Sequence, residues 1–227
     1  MSHAAPGREA ARAALVTRYR IPAGIAQSEL VIRHSTFVAN VGHAPDAQMA
    51  HAFVAQVRAD HPGASHHAWA FKITGGPQAL IGSSDDGEPG GTAGRPMLAV
   101  LEGSDLREVV AVVSRYFGGI KLGTGGLVRA YGGAVRQALA GMATAECALH
   151  RMARVTVGYG LYGSLQHVLA RHGVIVEEAT FAEEVAMLLA VPCESARQVT
   201  GLLRDLSRGQ IALDRNWLED RYYVTHA

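Results

Sequence analysis

The residues with the clearest chemical potential lie between Ser83 and Arg136. Glycines at 118, 119, 123, 125, 126, 132 and 133 share this stretch with Arg115, Lys121, Arg129 and Arg136, and no Asp or Glu falls between Arg115 and Arg136. Glycine packs no side chain and costs backbone entropy, so this density marks unusual backbone angles or close approach of another group. If a strand ends at Phe117 and a helix opens at Gly125, then Gly118, Gly119, Lys121, Gly123, Thr124, Gly125 and Gly126 belong to a strand-to-helix junction. Backbone amides there converge, and the helix N-terminus adds unpaired donors and partial positive charge. Arg115, Lys121 and Arg129 supply full charges, arginine being able to bond two oxygens at once. The implied chemistry is the binding of phosphate or carboxylate oxygens. An equally weighted alternative is a tight strand-helix packing with the basic residues solvated on its rim.

The common nucleotide motifs are not met. Gly118 is followed five positions later by Gly123 and then Thr124, without the lysine of a Walker loop, and Gly123 to Val128 ends in valine where GxGxxG requires glycine. ATP hydrolysis and NAD binding are therefore unsupported, and no cofactor is assigned. Upstream, Asp85, Asp86 and Glu88 gather three carboxylates in four residues. Such hard oxygens can hold Mg²⁺ with a phosphate, but the EF-hand spacing is missing and Asp, Gly and Pro are ordinary turn formers. The favoured reading is a turn in which Asp85 or Glu88 pairs with an arginine of the basic segment. His66 and His67 are adjacent, so a strand would send them to opposite faces, and HExxH is absent. No metal site is assigned; one histidine packed and one exposed is expected. GxSxG is also absent, and Cys147 and Cys193 form neither a disulfide framework nor a CxxC pair, which leaves no catalytic residue to name.

Composition limits the function classes. The chain has 227 residues, 48% hydrophobic and 18% charged, with a formal net charge of +1. It does not coat nucleic acid by bulk charge, so polyanion affinity must arise from local clustering. No stretch approaches a membrane span, and the N-terminal segment lacks the apolar core of a secretory signal. A cytoplasmic protein without membrane partners is expected, its first dozen residues a frayed tail.

The elements that must position these residues suggest two α+β domains. Ala14 to Ile21 and Glu29 to Ala39 read as paired strands. Pro45-Asp46 opens a helix to about Ala59, with Met49, Ala50, Phe53, Val54 and Val57 at helical spacing, and His61-Pro62-Gly63 stops it. Ala68 to Ile73 is a strand, residues 74–77 a turn, and Leu80 lies in a second short strand. Pro96 to Leu101 forms a short helix, Glu108 to Phe117 a buried central strand, and Gly125 to Met142 a helix. Beyond a boundary near Cys147 to Arg151 the order is strand Met152–Tyr159, helix Tyr162–Arg171, strands Val174–Phe181 and Glu184–Val191, helix Glu194–Ser207 and strand Gln210–Asn216. This is the βαββαβ order of ferredoxin-like domains.

Three runs together resemble the signature of the YigZ/IMPACT family: SDDGEPGGTAGRPM from Ser84 to Met97, RYFGGIKLGTGGLVRAYGGA from Arg115 to Ala134, and HPGASHH from His61 to His67. Arg33 to Phe37 also fits the family pattern. The resemblance implies a first domain, residues 14–147, with the ribosomal protein S5 domain 2-like fold. It implies a second, residues 151–217, with a ferredoxin-like fold similar to the last domain of elongation factor G. It places Asp85, Asp86, Glu88, Thr92, Arg95, Arg115, Tyr116, Lys121, Thr124 and Arg129 in the signature, which adds Arg95 to the anion-binding set. Gly90 stands where relatives often carry Ser or Ala, and Trp217 to Ala227 has no counterpart. Both related folds contact RNA or the ribosome, and eukaryotic IMPACT proteins are translational regulators that reach their partner through an extra N-terminal RWD domain, not expected here. The function implied first is non-enzymatic RNA or ribosome binding that modulates translation. Second comes an enzyme acting on a phosphorylated small molecule or nucleotide with Mg²⁺, and third an interface burying Phe117, Ile120 and Leu122. No oligomeric state is implied.

Overall fold

A computed structural model describes residues 16–74 and 79–225. The expected N-terminal tail, the start of the first predicted strand and most of the 74–77 turn lie outside the described residues. The chain divides into two compact units, one of residues 19–146, the other of residues 147–225 with 16–18. No helix among the described residues is long and apolar enough to cross a membrane.

The sheet of the first unit contains β2 (Ala26–Ile32), β3 (Ser35–His43), β4 (His66–Ile73), β5 (Leu80–Ser84) and β6 (Val109–Tyr116), preceded in the chain by β1 (Arg18–Pro22). Its order is β2-β3-β6-β4-β5, and every neighbouring pair is antiparallel. β6 is central, as its valine run implied, and Val109 to Arg115 are all buried. Strand alternation sends Val109, Ala111 and Val113 to one face, where they meet Met97 and Leu101 of α2 (Gly94–Glu102) and Leu127, Tyr131 and Val135 of α3 (Thr124–Ala140). Val110 and Val112 go to the other face, against Ala50, Val54 and Val57 of α1 (Ala47–Asp60). A strand covered on both faces needs apolar residues at consecutive positions, and each fully buried valine contributes roughly 1.5–3 kcal/mol. α1 starts where Asp46 accepts a 2.7 Å hydrogen bond from the Met49 amide.

The expected pairing of Ala14–Ile21 with Glu29–Ala39 is not formed. β2 and β3 instead fold on each other, with Ile32 opposite Ser35 across a two-residue turn at Arg33 and His34, while β1 pairs with β7 (Thr144–Val157). Neither turn residue is Gly or Asn, so the usual sequence mark of a tight hairpin is missing.

In the second sheet the order is β1-β7-β9-β8, with β8 at Ile175–Phe181, β9 at Val185–Pro192, and β10 (Trp217–Thr225) also pairing with β7. β7 runs continuously from Thr144 to Val157, through the division between the two units at residues 146 and 147. α4 (Tyr159–Arg171) and α5 (Ala196–Leu206) contribute Leu165, Leu169, Val199 and Leu203 to a core with Val155, Met187 and Leu189. The βαββαβ order holds, but the predicted strand Gln210–Asn216 is corrected: Ile211 and Leu213 plug this core, Leu213–Arg215 is one 3₁₀ turn, and the final strand begins at Trp217. The fold is α+β in both parts, as expected.

Candidate anion-binding site

Register gathers the signature at one end of the first sheet. Thr36 lies opposite Tyr116, His66 opposite Arg115 and Trp69 opposite Ser84. The β2–β3 turn, the start of β4 and the C-terminal ends of β5 and β6 therefore share that end. α2 and α3 start from the loops that follow β5 and β6, so both N-termini open there, and Arg58 in the last turn of α1 arrives with them.

Two glycines make this convergence possible. A Cβ on Gly118 would stand 2.0 Å from the carbonyl carbon and oxygen of His34, and one on Gly94 would stand 2.8 Å from the Ser84 backbone. Gly118 also donates its amide to Ser35 Oγ at 3.2 Å. Gly119 and Gly123 serve differently, with φ of +84° and +73° and open space around them. Gly123 is the N-cap of α3 and brings no side chain to cap it. Gly123, Thr124 and Gly125 are exposed and Gly126 half-buried, which leaves the first turn of α3 facing water.

The three signature carboxylates are all engaged within the protein. Asp85 accepts from the amides of Gly91, Ala93 and Gly94 at 2.7, 2.9 and 2.8 Å, tying the acidic loop to the start of α2. Burial alone would raise its pKa, but these three donors and the nearby Arg95 together hold it below the ordinary carboxylate value. Asp86, at φ +46°, accepts from Arg58 Nη2 and from the His67 amide, both at 2.7 Å. Glu88 is buried and accepts from Arg115 Nη1 at 2.7 Å and from the Tyr131 hydroxyl at 2.6 Å. Burial, and after it the Glu88 carboxylate, pushes the Tyr131 phenol far above its usual pKa.

Arg115 is thus a core residue, only 5% exposed, with its guanidinium over the rings of Phe37 and Phe117 at 5.4 and 5.3 Å. The structure separates it from the other basic residues of the signature. Arg95, Lys121 and Arg129 are exposed and make no salt bridge among the described residues. Arg33 at the hairpin tip is the same, and His34 beside it is exposed too. Sequence reasoning overlooked this pair as site residues because nothing in the local pattern announces a turn.

The histidines divide as strand geometry requires. His67 is buried, its Nδ1 2.9 Å from Ser114 Oγ, whereas His66 is half-buried with Nδ1 2.8 Å from the Asp86 carbonyl. Burial, with Arg58 second, lowers the His67 pKa. His61 places Nδ1 2.9 Å from the Tyr116 hydroxyl, completing a polar rim that spacing alone did not reveal. Among the described residues no group of three or more His, Cys, Asp or Glu side chains is placed to hold a metal ion.

Comparison with known proteins identifies relatives of this chain. Residues 33–139 match the family model of the Impact N-terminal domain, and residues 155–210 that of a domain of unknown function, DUF1949. The IMPACT family member YigZ of Escherichia coli is 40% identical over 184 residues, covering 80% of this chain and 90% of the relative. An IMPACT family member of Haemophilus influenzae is 36% identical over 201 residues, covering 87% and 97%. A solved structure described as that of a hypothetical protein superposes with a TM-score of 0.64 at 35% identity, covering 94% of this chain and 98% of that one. With that much of both chains aligned, and the glycines and carboxylates that shape the sheet end lying inside the matched segment, the chain belongs to the IMPACT family.

Proposed function

We propose that the end of the first sheet binds RNA, free or within the ribosome, and that the protein modulates translation by doing so without catalysing a reaction. The observation that carries this reading is an asymmetry of charge. Arg33, Arg95, Lys121 and Arg129 are exposed on the elements that meet at the sheet end with the uncapped helix N-terminus, while Asp85, Asp86 and Glu88 are turned onto internal donors. Exposed cations that make no salt bridge among the described residues, together with oriented amides, suit a phosphate backbone. Arg115 acts here by holding Glu88 and the β6 terminus in place, not by touching the ligand. The family resemblance, which links both domains to ribosome and RNA contacts, points the same way.

A base-free phosphate would be attracted by the same amides. An enzyme that uses Mg²⁺ needs carboxylates free to bind it, and the three nearest ones already hold the loop together. Filter binding of structured RNA to wild type and to the Arg95→Ala/Lys121→Ala/Arg129→Ala variant, at 50 and 200 mM salt, tests the proposal. Strong retention by wild type at low salt, and its loss in the variant, is expected. Equal, negligible retention by both proteins would refute it.

A further inference from the structure

We propose that Phe117 is a stacking platform for an unpaired base, so that this site selects single-stranded over duplex RNA; the inference rests on the polyanion reading of the same site. Phe117 is the first residue beyond β6 and is 50% exposed. One side of its ring is occupied by the Arg115 guanidinium, 5.3 Å from the centroid. Arg115 is itself buried and bonded to Glu88, so the ring packs against a core residue on one side while half of its surface meets solvent. Apolar exposure continues along the chain after it, with Ile120 45% and Val128 39% exposed. Lys121 and Arg129 lie between and beyond these residues, and no Asp or Glu occurs from Val109 to Ala145.

Single exposed apolar residues are common on protein surfaces and need no explanation. Here an exposed aromatic ring and two exposed aliphatic side chains share thirteen residues, Phe117 to Arg129, with two cations, Lys121 and Arg129. That pattern matches a ligand with a charged backbone and flat apolar faces. Single-stranded nucleic acid has both, whereas a duplex hides its bases and a base-free polyanion has none. Phe117 therefore adds to affinity only when a base is free to leave its stack.

The test uses fluorescence anisotropy on the full chain with three probes: a 12-nucleotide unstructured RNA, its duplex, and inorganic polyphosphate as competitor. Wild type is expected to prefer the single strand. Phe117→Ala should weaken single-strand binding about 5- to 150-fold, the range for loss of one base-aromatic stack, with an unchanged salt slope because no cation is removed. Phe117→Trp should retain the preference, and polyphosphate should compete equally well against both variants. If Phe117→Ala binds the single strand like wild type while polyphosphate still competes, the stacking role is wrong and the anion site stands. If neither RNA nor polyphosphate binds wild type, the anion reading fails and this inference with it. Should mass measurement show a dimer that Phe117→Ala converts to monomer, the ring belongs to a protein interface and the proposal is overturned.

Discussion

Replacing Arg33-His34 by Asn-Gly should make the protein more stable and a poorer RNA binder. Both residues are left-handed, with φ of +45° and +67°, because a two-residue hairpin of this register requires it. An L-residue in that region costs roughly 1–2 kcal/mol, a cost that glycine escapes and asparagine reduces. The entropic cost of introducing glycine returns roughly 0.5–1 kcal/mol, so the double variant should gain about 1–2 kcal/mol. For a unit between about 100 and 150 residues this raises the melting temperature by roughly 3–8 °C. The same change removes an exposed cation from the hairpin tip at this sheet end, and the salt slope of single-stranded RNA binding should become shallower by about 0.7. Circular dichroism melts and anisotropy on the same preparations measure both quantities. A melting temperature that fails to rise would refute the strain argument. A rise with affinity and salt slope unchanged would show that Arg33 lies outside the binding surface.

Glu88→Ala leaves the Arg115 charge and the Tyr131 hydroxyl buried without their acceptor, and chemical denaturation should record a loss of about 3–5 kcal/mol. A loss under 1 kcal/mol, in the range of exposed pairs, would contradict the burial of this network. Gly118→Ala sets a Cβ against the His34 carbonyl, where no flexible side chain can give way, so it should destabilise far more than Gly119→Ala, whose cost is confined to its positive φ. Equal melting temperatures for these two variants would exclude the close approach. His67 and His150 both have pKa values lowered mainly by burial, so the unfolded chain takes up protons below about pH 6.5 that the folded protein resists. Stability from these neutral histidines is complete above pH 6.5 and falls as the pH drops toward their folded pKa values; His67→Asn should flatten the melting profile between pH 7.5 and 5.5. Asp85 acts with the opposite kind of group and in a lower window: its depressed pKa gives stability present above about pH 4 and lost below it.

What was legible in the sequence followed from local physics. The valines of β6 announce a strand covered on two faces, Asp46 announces the start of α1, and the glycines after Phe117 announce the α3 junction. The β2–β3 hairpin was missed because Arg33 and His34 adopt its left-handed turn against their own preference. The last strand was misplaced because Ile211 and Leu213 alternate like strand residues while serving as a core plug. In the site, Lys121 and Arg129 stand exposed where the motif led us to place charge. Arg115 could not be separated from them by sequence, since a strand buried on both faces gives no alternation to show which side an arginine takes. Its partner Glu88 comes from a loop 27 residues earlier, a contact that only the folded chain defines.

The most direct measurement is the salt dependence of RNA binding by wild type. Four exposed cations, Arg33, Arg95, Lys121 and Arg129, lie on the elements that meet at the sheet end where α3 starts uncapped. If each meets one phosphate of a single strand, the slope of log K against log salt is about −3, and affinity falls roughly 50-fold between 50 and 200 mM. The Lys121→Ala/Arg129→Ala variant should bring the slope to about −1.4. A slope near zero for wild type, or the same slope in the variant, would contradict the assignment of this sheet end as the polyanion site.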